Sequence, residues 1–405
     1  MDVVVAGGGI AGLEALLGLR AMAGDKVRLT LIAPDADFAY RPLAVAEPFA
    51  LGHAHRVPLT RFTEEVGAEL VLEALESVDD GARELQLTDR STRAFDALLA
   101  APGGRPVVGV EGATTWWPGG DADNYGGLLQ DIDAGYAKQI AIVVPPGAVW
   151  PLPAYELALM TAGEARGMGQ EGVQVTVVTP ERTPLSLFGE EASRAVGEEL
   201  RWAGIELRTG TVVQNASELG VERVFAVPRI VGPMIAGLPM DEEGFTLASD
   251  DGLVRNCEHT WAAGDGVASP IKFGGLATHQ ARVAAAAIAR AAGATDVPDP
   301  GEPVLHGRLL VGRRTRRLRG DAEGAPLWWP HGKVAGEYLP RWLAEHGVAS
   351  PVTDEPPAGE DVTVRQPLHA LRGPEAQYLF ELGRQYRSAD PAVAALGRRM
   401  REIEG

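Results

Sequence analysis

The sequence predicts an α/β protein built on two parallel sheets. Three observations carry that expectation: a glycine turn between a strand and a helix at the amino terminus, a second strand–turn–helix–strand unit near residue 140, and a further glycine turn at residues 264–266 that leads into an alanine-rich helix. The first unit opens with Asp2 to Ala6 (DVVVA), a short buried strand, whose parallel neighbour is Val27 to Ala33 (VRLTLIA). Between them Gly7-Gly8-Gly9-Ile10-Ala11-Gly12 fits G-x-G-x-x-G and opens a helix to about Met22. In that pattern Gly7 permits the tight turn, Gly9 lets backbone approach a pyrophosphate, and Gly12 allows the helix to pack closely. The helix start adds unpaired N–H groups and a positive dipole end. Strand, helix and second strand stand in register, so the motif reads as dinucleotide binding rather than as a structural turn. The acidic residue that holds a ribose about 20 residues on is replaced by Ala33. Asp35 is the nearest substitute, followed by Asp37.

From Glu69 to Ala101 short strands alternate with turns at Asp79-Asp80-Gly81 and Asp89-Arg90, which reads as an antiparallel meander. The second unit is Gln139 to Val144, a proline loop, a helix from about Ala154, and a strand from Val173 to Thr179. Trp261 to Ser269 (WAAGDGVAS) precedes the alanine-rich helix, Leu276 to Ala292, and Pro298 to Pro303 (PDPGEP) looks like a linker. From about Val304 the chain mixes strands with LWWPHGKVAGEYLPRWL and ends in two polar helices.

Bulk composition narrows the function classes. A chain of 405 residues, 45% hydrophobic, has room for two or three domains. A net charge of −18 opposes general binding to nucleic acid or anionic lipid. The single cysteine, Cys257, forms no intrachain disulfide and fits a reducing compartment. MDVVVAGGG has no basic segment or cleavage pattern, and no run approaches the roughly 18 apolar residues of a spanning helix. A soluble cytoplasmic protein is the expectation.

Three stretches narrow the dinucleotide. Ala97 to Gly104 (ALLAAPGG) resembles the strand and turn that close the first flavin segment in the pyridine nucleotide-disulfide oxidoreductase superfamily, and Thr260 to Gly266 (TWAAGDG) resembles its second flavin signature. Lys272 to Ala281 (KFGGLATHQA) is similar to the helix start that faces the isoalloxazine pyrimidine edge. Within the superfamily the chain looks like the sulfide:quinone oxidoreductases, flavocytochrome c sulfide dehydrogenases and type II NADH dehydrogenases, over roughly residues 1 to 345. The resemblance implies two Rossmann-like FAD/NAD(P)-binding domains and a smaller α+β carboxy-terminal domain. Their bounds are 1–109 with 236–303 for FAD, 110–235 for a degenerate NAD(P)-like domain, and 304–405 for the domain that covers the flavin. It implies FAD held by Gly7, Gly9, Gly12 and Asp35, by Arg41, Pro42, Ala101 and Gly103, and by Gly264, Asp265, Lys272, Gly275 and Leu276. Asp265 corresponds to the aspartate that bonds the ribityl-phosphate part. Related flavocytochromes attach their flavin through a cysteine near the position of Arg41, so here FAD is expected to be non-covalent.

The proline loop departs from that family. Pro145-Pro146-Gly147-Ala148-Val149-Trp150 cannot form a glycine-type phosphate cradle, because proline supplies no N–H. Glu181, after the second strand, is displaced from the adenine-side position. NAD(P)H is therefore an unfavoured donor. Trp150-Pro151-Leu152-Pro153-Ala154-Tyr155-Glu156 resembles the Cys-Pro-Pro-Gly-Pro-Tyr-Glu stretch of flavocytochrome c sulfide dehydrogenases, with Trp150 where half of their redox disulfide stands. An indole is neither a sulfur nucleophile nor a persulfide carrier. Trp150 reads either as a hydrophobic plug or, with Trp328-Trp329, as a stacking wall for an aromatic or quinone substrate.

Smaller signals have plain readings. Arg308 to Arg319 reads as a solvated hairpin, with an anion or acidic carrier as the sharper alternative, and Cys257 as a core cysteine. His53 and His55 stand two apart with no supporting ligands, so no metal is expected. Lys272 and His279 are candidates to relay protons or bias flavin charge, against helix-surface or capping roles. From Glu375 to Gly405 the apolar residues, Tyr378, Leu379 and Leu382 and then Val393, Leu396 and Met400, are sparse in a polar stretch suited to packing on the protein or on a homodimer partner rather than into lipid. The combined reading is an FAD-dependent oxidoreductase without a redox disulfide, acting on a small-molecule redox substrate. The alternatives are an NAD(P)H dehydrogenase of the NADH:quinone type, and a non-enzymatic flavin scaffold or redox sensor.

Overall fold

The computed structural model describes residues 1–118, 122–147, 149–303, 307–312, 314–318, 333–348, 377–379 and 381–382. Two five-stranded parallel sheets organise them. Across the first, the strands run Thr260–Ala262, Ala97–Ala100, Asp2–Ala6, Arg28–Ile32, Ala68–Val71. The amino-terminal strand lies centrally, with its crossover partners to one side and later strands to the other, as in a dinucleotide-binding half. Alternate residues of Asp2–Ala6 divide between two cores, as a period of two requires. Val3 and Val5 pack under the helices Ile10–Ala23 and Gly274–Ala291, while Val4 and Ala6 face the opposite cluster.

That opposite face is covered by an antiparallel meander, Leu75–Asp79, Glu84–Leu87 and Thr92–Ala94. The meander is shorter than the sequence suggests, because Ala68–Val71 and Ala97–Ala100 at its ends enter the parallel sheet instead. Ala97–Ala100 is buried along its whole length, the pattern of a strand covered on both faces.

The second sheet runs Glu206–Arg208, Gln174–Val178, Gln139–Val143, Arg223–Ala226, Thr114–Thr115. Its helix spans Leu152–Gly167, opening two residues before the position marked in the sequence, with Pro153 in the first turn where a missing N–H costs nothing. The two passages between the sheets lie side by side as an antiparallel ribbon, Arg105–Val107 with Arg229–Val231.

The arginine-rich stretch is a hairpin, Gly307–Val311 with Arg314–Leu318. It is not wholly solvated: Arg308 is buried. Trp328 and Trp329 lie outside the described residues, as does most of the carboxy-terminal stretch. Residues 333–348 return to the first unit and end in the helix Leu339–Glu345. Glu14, fully buried on the first helix, accepts N–H bonds from Glu337, Tyr338 and Leu339 and so caps that return. Among the described residues no helix is long and apolar enough to cross a membrane.

Candidate functional site

The glycine turn is built by close approach. Gly7 has φ +134, and a Cβ there would lie 1.9 Å from the carbonyl oxygen of Ala101. A Cβ on Gly12 would lie 1.8 Å from the carbonyl oxygen of Gly7, so the helix can reach the turn only as glycine. Gly9 differs from both: among the described residues nothing lies within 4 Å of where its Cβ would stand. It is the N-cap of Ile10–Ala23, with no side-chain cap and no acidic residue in the first turn. An open, uncapped, positive helix end is a cradle for an anion such as a pyrophosphate.

Two other turns meet this one. A Cβ on Gly264 (φ +85) would lie 3.0 Å from the Cβ of Ala11, and one on Gly266 would lie 3.1 Å from the carbonyl oxygen of Gly103, itself at φ +74. The structure thus brings together Gly7, Gly9, Gly12, Ala101, Gly103 and Gly264 from three distant segments. Asp265 follows, with part of its surface open. Its carboxyl is enclosed enough that burial pushes its pKa up, against the charge of Lys272 and the N–H of Phe273, which pull it down. Asp35 and Arg41 are exposed, Asp35 in the loop after Arg28–Ile32 and Arg41 at the start of the 3-10 stretch Arg41–Phe49, with Pro42 half-buried beside it. Neither charged side chain is drawn into the glycine cluster.

Lys272 and His279 are not surface residues. Lys272 is 2% exposed, donates to the carbonyl of Val267 at 2.6 Å, and holds its ammonium 3.6 Å from the ring centre of Phe245. Burial pushes its pKa down to about 8, opposed by Asp265, Asp241 and Glu243. His279 is 8% exposed, and burial, with Arg282 beside it, holds it down to about 4. An unfolded histidine titrates near 6.5. As pH falls, the unfolded chain takes up this proton first, so the stability tied to neutral His279 is present above about pH 6.5 and is lost towards pH 4. We expect about 2–3 kcal/mol of acid destabilisation from this group, and a flatter acid limb for His279→Gln in denaturant titrations at stepped pH. Gly275 is packed so that a Cβ would meet the Phe273 ring at 2.8 Å, and Leu276 is buried beneath it. A Cβ on Gly274 would meet Val334 at 2.9 Å, so these glycines let residues 333–335 cross the helix start.

At the proline corner Trp150 is half-buried and stacked on Phe273, with ring centres 4.4 Å apart and an interplanar angle of 25°. Phe188 meets it edge-on at 5.8 Å. The indole thus joins the corner to the start of helix Gly274–Ala291. Ala148, in the same loop, lies outside the described residues. Glu181 is buried and internally engaged, accepting from Tyr155 Oη at 2.6 Å and Thr179 Oγ1 at 3.0 Å. Both bonds fall on one carboxylate oxygen, Oε2. Cys257 belongs to the core under the meander, where burial and the charge of Asp80 push its thiol up to about 11. His53 and His55 place their rings 4.2 Å apart, and no metal-type cluster of three His, Cys, Asp or Glu occurs among the described residues.

A buried ionic cluster had no counterpart in the sequence reading. Both Nζ···Oε distances between Lys333 and Glu156 are 2.6 Å, and Leu310 N–H adds a third bond to the carboxylate. Arg308 acts on both charges, and Tyr40 Oη accepts from the N–H of Val334 at 3.2 Å. Burial pushes the Glu156 carboxyl up and the Lys333 ammonium down, and each charge counters the shift of the other. The pair ties the second unit's helix to the segment that crosses the first unit. The available signal for Glu156 is a lone acid beside Tyr155 within the otherwise apolar run from Leu152 to Met160.

The glycine cradle, the flanking turns and the paired sheets define a dinucleotide-binding redox fold. Residues 1–293 match the pyridine nucleotide-disulphide oxidoreductase family, and the chain belongs to it. Members of that family are FAD-dependent oxidoreductases. The sulfide-quinone reductase of Aquifex aeolicus (strain VF5) is 30% identical over 191 residues, 44% of this chain and 43% of its own length. The chain therefore matches less than half the length of this curated relative. The X-ray structure of the sulfide:quinone oxidoreductase from Aquifex aeolicus shares the fold with a TM-score of 0.68 at 20% identity, covering 78% of this chain and 82% of that one. An NAD-dependent persulfide reductase from A. fulgidus follows at 0.56 and 20% identity, covering 78% and 63%.

Proposed function

We propose that the chain is an FAD-dependent oxidoreductase that holds its flavin without a covalent link and works without a redox disulfide. The cradle at Gly7, Gly9 and Gly12, the turns at Ala101-Gly103 and Gly264-Asp265, and the helix start at Gly275-Leu276 are the residues that would hold FAD, with Lys272 fixing the loop that carries Asp265. Asp35, Arg41 and Pro42 stand at the rim. Bound there, FAD supplies reversible two-electron transfer. The protein supplies the binding, a dry wall and fixed charge.

The observation that carries the absence of a disulfide is Trp150. It stands at the corner and is packed on Phe273 and Phe188, while the one cysteine sits in a different core with a raised pKa. An aromatic wall beside the helix start favours a small substrate with a flat ring, such as a quinone, over a thiol or sulfide. Residues 1–109 with 236–303 would form the flavin domain and 110–235 the second unit, divided at the ribbon Arg105–Val107 with Arg229–Val231. Residues 304–405 would form the interface and flavin-covering domain, with residues 333–335 as the part laid over the helix start at Gly274-Gly275.

The test is anaerobic mixing of the purified holoprotein with NADH, NADPH, sulfide, a thiol and a reduced quinone, followed by flavin absorbance. Reduction by the quinol, faster than by any other donor, is the expected result. Rapid bleaching by NADH or NADPH would establish the dehydrogenase alternative instead. Reduction by sulfide through a persulfide would overturn the role given to Trp150, and a protein that retains no flavin would overturn the whole reading.

A further inference from the structure

The described residues enclose a small cavity at the proline corner, where a glycine-bearing unit would receive the phosphates of a second dinucleotide. Four prolines, Pro145, Pro151, Pro180 and Pro270, line it, together with the buried carboxylate of Glu181 and the side chain of Leu379 from the carboxy-terminal stretch. Prolines offer no N–H to a phosphate. Glu181 adds negative charge and is already bonded by Tyr155 and Thr179. Such walls repel an anion and suit a branched aliphatic group. Leu379 is that group, and with it in place about 20 Å³ remains, room for roughly one water.

The neighbouring residue closes the rim. The Arg182 guanidinium carbon lies 4.3 Å from the ring centre of Tyr378. Exposure along the stretch follows a helical face: Tyr378, Leu379 and Leu382 are half-buried, whereas Gln377 and Glu381 are exposed.

We propose that the second βαβ unit serves as a docking cradle for the chain's own carboxy-terminal segment, with Leu379 seated among the four prolines and Tyr378 laid on Arg182. The unit keeps the sheet of a nucleotide domain and binds peptide where a nucleotide would lie. The proposal stands on the second unit alone and does not depend on the identity of the electron donor.

Hydrogen exchange on the full-length protein tests it, comparing the parent with Leu379→Asp and, as a control on the exposed side of the same stretch, Glu381→Ala. Leu379→Asp is expected to speed exchange at least about tenfold in peptides spanning 139–152 and 176–190. Peptides from the first sheet and the flavin content should not change, and Glu381→Ala should match the parent. Equal exchange in parent and Leu379→Asp would overturn the proposal, as would a rise spread evenly over both sheets. Protection of the parent that grows with protein concentration would assign the occupant to a second copy and overturn the intramolecular assignment. Restoration of protection in Leu379→Asp by added NADH would show a masked nucleotide site and overturn the preference for peptide.

Discussion

Gly9→Ala is expected to leave the flavin-free chain as stable as the parent and to weaken FAD binding at least about tenfold, a loss of about 1.4 kcal/mol or more. The methyl group meets none of the described residues, and φ −93 at this position is comfortable for alanine. Among the described residues it crowds nothing, so its expected clash is with a ligand brought against the helix start. Gly12→Ala makes the contrast. Its methyl would stand 1.8 Å from the carbonyl oxygen of Gly7, a backbone atom with no freedom to move aside. The helix must shift away from the turn, at a cost of about 3 kcal/mol or more, and flavin retention should fall with stability. Denaturant unfolding of both variants, with flavin titration by fluorescence quenching, separates a ligand contact from a packing contact. Equal FAD affinity in Gly9→Ala and the parent would remove the cradle from the binding site.

Lys333→Met is expected to lower stability by about 3–5 kcal/mol, because it strands the carboxylate of Glu156 in a site closed to water. Lys333→Met combined with Glu156→Gln should recover most of that loss. The glutamine carbonyl can still accept from Leu310 N–H, and the stranded carboxylate is gone. Parallel unfolding slopes with shifted midpoints would confirm a change of stability rather than of compactness. A single variant as stable as the parent would mean that the pair is solvated, contrary to its burial.

The glycine cradle was legible in the sequence because its chemistry is local. Gly7, Gly9 and Gly12 sit within six residues, and the flanking strands announce themselves by apolar runs. The proline corner was legible as a loss of donors for the same reason. The partners of Trp150 were not, since Phe188 and Phe273 come from other segments. The burial of Lys272 and His279 was hidden by the helix Gly274–Ala291. Its alanines leave no polar stripe to say which side faces inward. Glu156 and Lys333 are 177 positions apart, and Glu14 and Leu339 are separated by 325. Such pairings are set by how whole elements dock, which no window along the chain records. The ends of the meander are not legible, because a short buried strand reads alike whether its neighbours run parallel or antiparallel.

The order of strands also fixes an order of assembly on the ribosome. Domains commonly complete themselves from the amino terminus as they emerge, but the first sheet here cannot. Its edge strand Thr260–Ala262 is synthesised after every strand of the second sheet, which lies wholly between Thr114 and Ala226. The second sheet can therefore close while the first is still open. Glu14 must wait longer still, its carboxylate without the three N–H partners until Leu339 has left the exit tunnel. A chain interrupted before that point carries a buried acid without its three backbone N–H partners, with Arg282 alone to face it, and so folds with a desolvated carboxylate left short of hydrogen bonds.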